Sequence, residues 1–379
     1  MPQYDVIVVG LGAIGGAALR VLAKRGVRAL GIERFAPGHD QGSSHGETRM
    51  IRLGYFEHPS YVPLLRKTYA LWLAIESEAN AKLLHVTGIA EMGTPDSDVV
   101  AGTLAASRLH DLPHEVLSAK DAMRRFPAFR LPEDFVCVVQ PDGGFVAVEA
   151  AMAAMLGQAT AAGAEVWPET TVQAVTPAGR GVRVATSRGD VEAGSVIVAA
   201  GPWIGQLVPG LPLRVTRQVM TWFAAREPEL FRPGRFPVFL MRTPHGNHYG
   251  FPSLDGRTVK IAKHHHLDET VEPETVARTV SAKDEAAIRA AVAAHVPAAD
   301  GPLAQAKTCL YTVTPDHDFI IDLAPGAPNV VVASACSGHG FKFAPVMGEI
   351  LADLATEGDT GHDISRFRLS RFAPAVTRP

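Results

Sequence analysis

The first thirty-three residues restrict this chain to one kind of beginning. Tyr4 to Val9 is a short apolar, β-branched run, the composition of a strand buried in a parallel sheet. Gly10-Leu11-Gly12-Ala13-Ile14-Gly15 follows, then a helix rich in small residues to about Lys24, then a second strand from Arg28 to Ile32 that ends at Glu33. That is the span of one βαβ unit. Gly10 permits the tight turn, Gly12 lets backbone approach a pyrophosphate, and Gly15 allows close helix–strand packing. Amides at the helix start face the phosphates, where the helix dipole favours negative charge. Glu33 can accept a hydrogen bond from a ribose hydroxyl. A ligand-free glycine turn is the bland alternative, and the ordered strand, glycines, helix and acid make it the poorer one.

The fingerprint alone does not separate FAD from NAD. Past Glu33 comes the small, polar stretch Gly42-Ser43-Ser44-His45-Gly46-Glu47-Thr48-Arg49, which can wrap an extended cofactor. A nicotinamide dehydrogenase would more often continue into another βαβ unit. Near the C-terminus the helix-opening Gly338-His339-Gly340 offers further backbone donors, suited to the pyrimidine end of a flavin.

Further along, Ala147 to Ala162 reads as an Ala-rich helix, followed by strands Ala164–Trp167, Thr171–Val175, Gly181–Thr186 and Gly194–Ala200, an antiparallel meander beside a parallel sheet. A helix is expected from Lys283 to His295, capped by Ser281. The stretches 83–145 and 213–306 look less regular. We read them as one discontinuous substrate domain, with 1–82, 146–212 and 307–379 forming the FAD-binding domain. A length of 379 residues suits two domains sharing a cleft.

At 47% hydrophobic and 20% charged, with net charge −3, the chain has the profile of a globular protein without bulk attraction to nucleic acid or anionic membrane. Cys137, Cys309 and Cys336 are too few and scattered for a disulfide framework or zinc site, which fits a reducing, cytoplasmic setting. Met1-Pro2-Gln3 leads straight into the first strand, so no signal peptide is expected. No apolar run approaches the roughly 18 residues of a membrane span, and Val376-Thr377-Arg378-Pro379 is no peroxisomal address.

Three runs carry a family likeness: GSSHGETRMIR (Gly42 to Arg52), CLYTVTPDHDFIID (Cys309 to Asp322) and SGHGFKF (Ser337 to Phe343). Together they resemble the signatures of monomeric sarcosine oxidase and N-methyltryptophan oxidase, and the similarity extends loosely from the first strand to about Phe372. The resemblance implies an α/β fold. Its FAD-binding, Rossmann-like domain is of the p-hydroxybenzoate hydroxylase or glutathione reductase type, and a mixed-sheet substrate domain lies over the flavin. It also implies a monomer.

Site residues emerge from the same matches. An isolated Cys is most often an inert buried thiol, but Cys309-Leu310-Tyr311 matches the family's Cys-x-Tyr, which implies FAD joined covalently through Cys309. Arg52 and Lys342 correspond to the pair that grips a substrate carboxylate, a fork and a point charge. Arg49 corresponds to a residue stacked by the flavin, with His45 beside it in a loop where Ser43 and Ser44 also meet the cofactor. Gly338, Gly340 and Val172 are counted with the cofactor-binding set. On the strand Val259 to His264, alternation puts Lys260 and His264 on one face and Lys263 on the other. The resemblance gives Lys260 a role in the reaction with oxygen, since a fixed cation stabilises developing superoxide. Tyr249 and Tyr311 correspond to active-site aromatics, Tyr55 lies in a loop at the site's mouth, and Met241 corresponds to a residue of the side-chain pocket. Phe56 departs from the small residue of the pattern. His264-His265-His266 cannot converge on a metal if the three alternate along a strand.

The implied reaction takes a hydride equivalent from the carbon beside a secondary amine, hydrolyses the imine, and reduces O2 to hydrogen peroxide. Sarcosine, N-methyltryptophan, pipecolate and fructosyl amino acids stay open as substrates. A NAD-dependent dehydrogenase and an inactive flavin-binding protein are the rival classes.

Overall fold

The computed structural model describes residues 3–372; Met1-Pro2 and the Val376–Pro379 terminus lie outside them. The opening unit forms as its sequence dictates, with strand Tyr4–Val9, helix Ala13–Lys24 and strand Ala29–Ile32. Tyr4–Val9 lies parallel between Ala29–Ile32 and the long strand Gly189–Val198. Glu165–Trp167 adds beyond Ala29–Ile32, and Ala327–Ser334, itself paired with Ile320–Ala324, pairs parallel to Gly189–Val198. Val172–Ala178 and Gly181–Thr186 complete the antiparallel meander. The strand expected at Gly194 begins five residues earlier. Gly189 and Asp190 carry turn chemistry, yet pairing with Gly181–Thr186 draws them into the sheet.

Helix Ala13–Lys24 packs against both Val148–Ala161 and Ala344–Glu357. Small residues make this close approach feasible: a Cβ added at Gly348 would come within 2.7 Å of Ala17 backbone.

The stretches that look irregular in sequence build a second, eight-stranded sheet. Its order is Leu303–Val313, Arg214–Ala224, Thr258–Lys263, Gly246–Gly250, Val238–Thr243, Ile89–Gly93, Val136–Gln140 and Glu115–Ser118. Only the Ile89–Gly93 and Val238–Thr243 pair is parallel. Polar residues hide these strands from pattern reading. Arg214–Ala224 buries Thr216, Arg217, Gln218 and Thr221, and Arg217 is matched there by a bidentate pair with Asp284 at 2.8 and 3.1 Å. Asp284 also closes a capping box with Ser281 on helix Ala282–His295.

Strand Leu303–Val313 runs across the boundary expected at 306/307 and pairs wholly with Arg214–Ala224. Cys309 and Tyr311 are therefore carried by the second sheet and presented toward the first. The C-terminal segment is fastened beside them by three ion pairs: Arg366–Asp318, Arg368–Asp322 and Arg371–Asp316, at 2.6, 2.8 and 2.7 Å.

Candidate active site

A cavity of about 670 Å³ runs from the glycine turn to the face of the second sheet, a size typical of cofactor sites. At its first end, Gly10 has φ +88°, and an added Cβ would lie 2.6 Å from the Ala199 carbonyl. One at Gly15 would lie 1.8 Å from the Gly10 carbonyl, whereas at Gly12 it would meet only the Ser44 hydroxyl, at 3.4 Å. So Gly10 and Gly15 are demanded by packing, and Gly12 keeps a cradle open. Ser44 Oγ accepts from the Ala13 amide at 3.0 Å, fixing the polar loop to the helix start.

Glu33 lines the same end and accepts from the Leu11 amide at 2.8 Å and the Phe35 amide at 3.1 Å. Burial pushes its pKa up, but His39 and the amides outweigh that and hold it below the usual carboxylate range. An ionised acceptor beside an open glycine cradle and a helix N-terminus fits a dinucleotide. Val172, Ser43, Gly338 and Gly340 line the cavity as well.

At the other end the cavity is walled by Tyr249, Tyr311, His264, Arg49, Arg52 and Lys342. Gly338, at φ +82°, lets its turn pack on this group: a Cβ there would meet His264 at 2.6 Å and Tyr311 at 2.7 Å. Tyr311 Oη lies 3.4 Å from His264 Nδ1. Arg49 donates to the carbonyls of Thr48 and Ser43 at 3.0 and 2.9 Å and reaches to 3.8 Å from Cys309 Sγ. Cys309 is buried against Met220 and Trp222, behind the wall. Burial raises its thiol pKa despite Arg49. His45 is also buried off the cavity, with neither ring nitrogen hydrogen-bonded, and burial next to Arg49 brings its pKa down to about 3.

Arg52 Nη2 donates to Glu57 Oε2 at 2.6 Å, and its Nε lies 3.0 Å from Glu91 Oε1. The Tyr55 and Phe56 rings lie over the guanidinium at 4.6 and 4.9 Å. Lys342 Nζ donates to the His339 carbonyl at 2.7 Å and to Tyr55 Oη at 3.4 Å. Burial, then Arg52, brings the Lys342 pKa down to about 7.

Several expected placements are corrected. Met241 does not line the cavity: it is buried in the core on the other face of the sheet, and Leu240 lines the cavity instead. A one-residue slip in a strand exchanges its faces. Tyr55 stands behind Lys342, fully buried, its hydroxyl 2.6 Å from His339 Nδ1, and the half-buried Phe56 lies on the cavity wall.

Lys260 and His264 share the cavity-side face of their strand, on either side of Ala262, which pairs with Tyr249. They reach different spaces, because the strand ends at Lys263 and a turn with His265 at φ +54° redirects the chain. His264 enters the cavity, His265 packs against Tyr311 and His317, and His266 meets Asp284 at 2.9 Å. The triplet diverges by turn geometry rather than by strand alternation. Lys260 lines a separate cavity of about 280 Å³, with Phe251 on the wall between the two. Its Nζ donates to the Gly46 carbonyl at 2.5 Å and to the Thr48 carbonyl and hydroxyl at 2.9 and 3.1 Å.

Sequence reading missed Glu57, Glu91 and Glu149. Glu149 accepts from the Gly46 and Glu47 amides at 2.7 and 3.0 Å and so pins the loop that carries Arg49. The available signal for Glu91 is an acid in the middle of the apolar run Ile89-Ala90-Glu91-Met92.

A dinucleotide cradle joined by one cavity to a pair of buried cations and an aromatic wall defines a flavin-type oxidoreductase architecture. Comparison with known proteins makes this specific. The family described as FAD dependent oxidoreductase matches residues 5–354. Monomeric sarcosine oxidase of Streptomyces avermitilis is 42% identical, with 99% of each chain covered. N-methyl-L-tryptophan oxidase of Salmonella agona is 34% identical over 98% of this chain and 100% of its own. NikD, an unusual amino acid oxidase essential for nikkomycin biosynthesis, superposes in its open form with TM-score 0.85 at 31% identity, covering 97% of this chain and 98% of its own. Glycine oxidase from Geobacillus kaustophilus, at 22% identity and TM-score 0.82 over 99% of this chain and 100% of its own, shares the fold. The chain belongs to the FAD-dependent oxidoreductase family, and its cofactor is FAD.

Proposed function

We propose that this enzyme oxidises a secondary, N-methyl α-amino acid of the sarcosine or N-methyltryptophan kind to its imine, with O2 as the terminal oxidant and hydrogen peroxide as product. The relatives named for those two substrates support the class. The observation that carries it within the molecule is the meeting of Arg52 and Lys342, nearly 300 positions apart in sequence, on one wall of the cavity. A buried carboxylate needs such paired charge, since leaving it uncompensated costs several kcal/mol.

FAD, when bound, supplies the two-electron acceptor for the C–H bond next to the amine nitrogen. The chain's own residues bind, orient and exclude water. Arg52 and Lys342 hold the carboxylate, while Leu240, Met50, Phe56 and Phe251 form the apolar wall. Arg49, on the same cavity wall, disfavours an ammonium and so favours the amine in its donor form. We assign Lys260, held by three acceptors in its own cavity, to the reaction with oxygen, and Cys309 to the covalent linkage of the cofactor.

The test is a titration of the flavin spectrum with acetate-like carboxylates. Arg52→Lys keeps the charge but loses the fork, so affinity should fall from wild type to Arg52→Lys and again to Arg52→Met. Equal affinity in all three would remove Arg52 from the substrate site.

A further inference from the structure

We propose that Glu91 is the charge-balancing residue of the substrate site: a buried carboxylate behind Arg52 that takes up a proton when a substrate carboxylate enters. This rests on the reading that the carboxylate binds at Arg52 and Lys342. Glu91 is a positioning residue, since it does not itself line the cavity.

Glu91 sits in the middle of strand Ile89–Gly93 and is fully buried. It pairs in register with Leu240, which pairs with Tyr249, and both of those line the cavity. Met92 pairs with Met241 in the core on the opposite face. An acid in this row is costly unless its charge is used. Glu91 Oε2 accepts from Gln140 Nε2 at 3.1 Å. Oε1 faces Arg52 Nε at 3.0 Å but has no aligned hydrogen bond, and the neighbouring Thr103 hydroxyl favours the ionised carboxylate.

Two carboxylates, Glu57 and Glu91, thus share one guanidinium. The other ionisable groups around them are Lys342, His339, Tyr55, Tyr61 and, on the adjacent strand, Cys137. Histidine, tyrosine and thiol are neutral here: burial brings His339 down to about 4, pushes Tyr55 well up and raises Cys137 to about 12. With Lys342 protonated, Arg52 and Lys342 against Glu57 and Glu91 sum to zero, and Lys342, itself brought down to about 7, is the second group in the cluster that can gain a proton.

A substrate carboxylate would leave one negative charge uncompensated in a buried site, and a proton from solvent restores neutrality. Glu57 lines the cavity, and Arg52 overcomes its burial to hold it below the usual carboxylate range. Burial dominates at Glu91 and brings it up to about 7 despite Arg52. Its Oε1, without an aligned hydrogen bond, has room for the proton.

The experiment uses the flavin-loaded enzyme and acetate. Spectral titrations from pH 6.5 to 8.5 are combined with calorimetry in two buffers of different ionisation enthalpy. Wild type should take up at least close to one proton at pH 8, with affinity falling at least about tenfold per pH unit above pH 7. Glu91→Gln keeps the shape and should bind acetate more tightly at pH 8.5, with about one proton fewer taken up than in wild type and a profile shallower by about tenfold per pH unit. Thr103→Val, which removes a hydroxyl that favours the ionised carboxylate, should move the fall to higher pH. Binding without proton uptake in wild type, or uptake unchanged in Glu91→Gln, overturns this inference alone. No spectral response to any carboxylate overturns the substrate reading, and this inference with it.

Discussion

Leu240 and Met241 are neighbours that serve different masters, one facing the cavity and the other the core of the second sheet. Met241→Ala should therefore cost about 2–5 kcal/mol in urea unfolding and leave substrate preference nearly unchanged. Leu240→Ala should do the reverse, shifting KM between small and bulky N-methyl acids with less loss of stability; matching effects from the two would refute the assignment of faces. At Cys309 the thiol is protonated by burial, with the Arg49 guanidinium 3.8 Å away as the group able to favour a thiolate. If Cys309 carries the cofactor, yellow colour stays with the acid-precipitated pellet, and Cys309→Ser releases it. Colour wholly in the supernatant of the unaltered protein would exclude the linkage.

Among the elements, the loop Gly42 to Arg49 does the most with the least regular structure. It caps the first helix through Ser44, lends Lys260 the carbonyls of Gly46 and Thr48, and is held from below by Glu149 at the start of helix Val148–Ala161. Glu149→Ala leaves two amides without their acceptor, a loss of about 1–3 kcal/mol. It should loosen Arg49 and Lys260 together, seen as weaker flavin retention and slower reoxidation by air; normal behaviour in both would show that the loop holds itself. Such elements differ in how far sequence reveals them. The βαβ opening is legible because each glycine has a steric reason visible in its spacing. The capped helix at Ser281 is legible because its stabilisation is local. The strands of the second sheet are not, since Arg217 in Arg214–Ala224 and Glu91 in Ile89–Gly93 are made tolerable only by partners far along the chain. The turn at His264 is missed for a related reason: the strand's pattern gives no sign of where pairing stops.

Across the whole molecule, the two sheets divide the labour. The first supplies the cradle and Glu33, the second supplies Tyr249, Tyr311 and Leu240, and Arg52 and Lys342 come from connecting segments that meet between them. Neither sheet alone contains a site, which explains why residues from separate motifs meet in one cavity while their partners needed the assembled fold. The charge balance of the cavity, with Arg52 already engaged by two acids, is a property of that assembly and could not be read from any single run. The central claim is that this cavity oxidises an amino acid gripped by its carboxylate. Its most direct test is to add sarcosine and N-methyltryptophan, and separately the corresponding amines lacking the carboxylate, to the oxidised enzyme without oxygen, and to monitor the flavin absorbance. The account predicts bleaching by at least one of the two acids, recovery on admitting air with one hydrogen peroxide formed per flavin, and little response to the amines. Bleaching by the amines as fast as by the acids, or by neither acid, would contradict it.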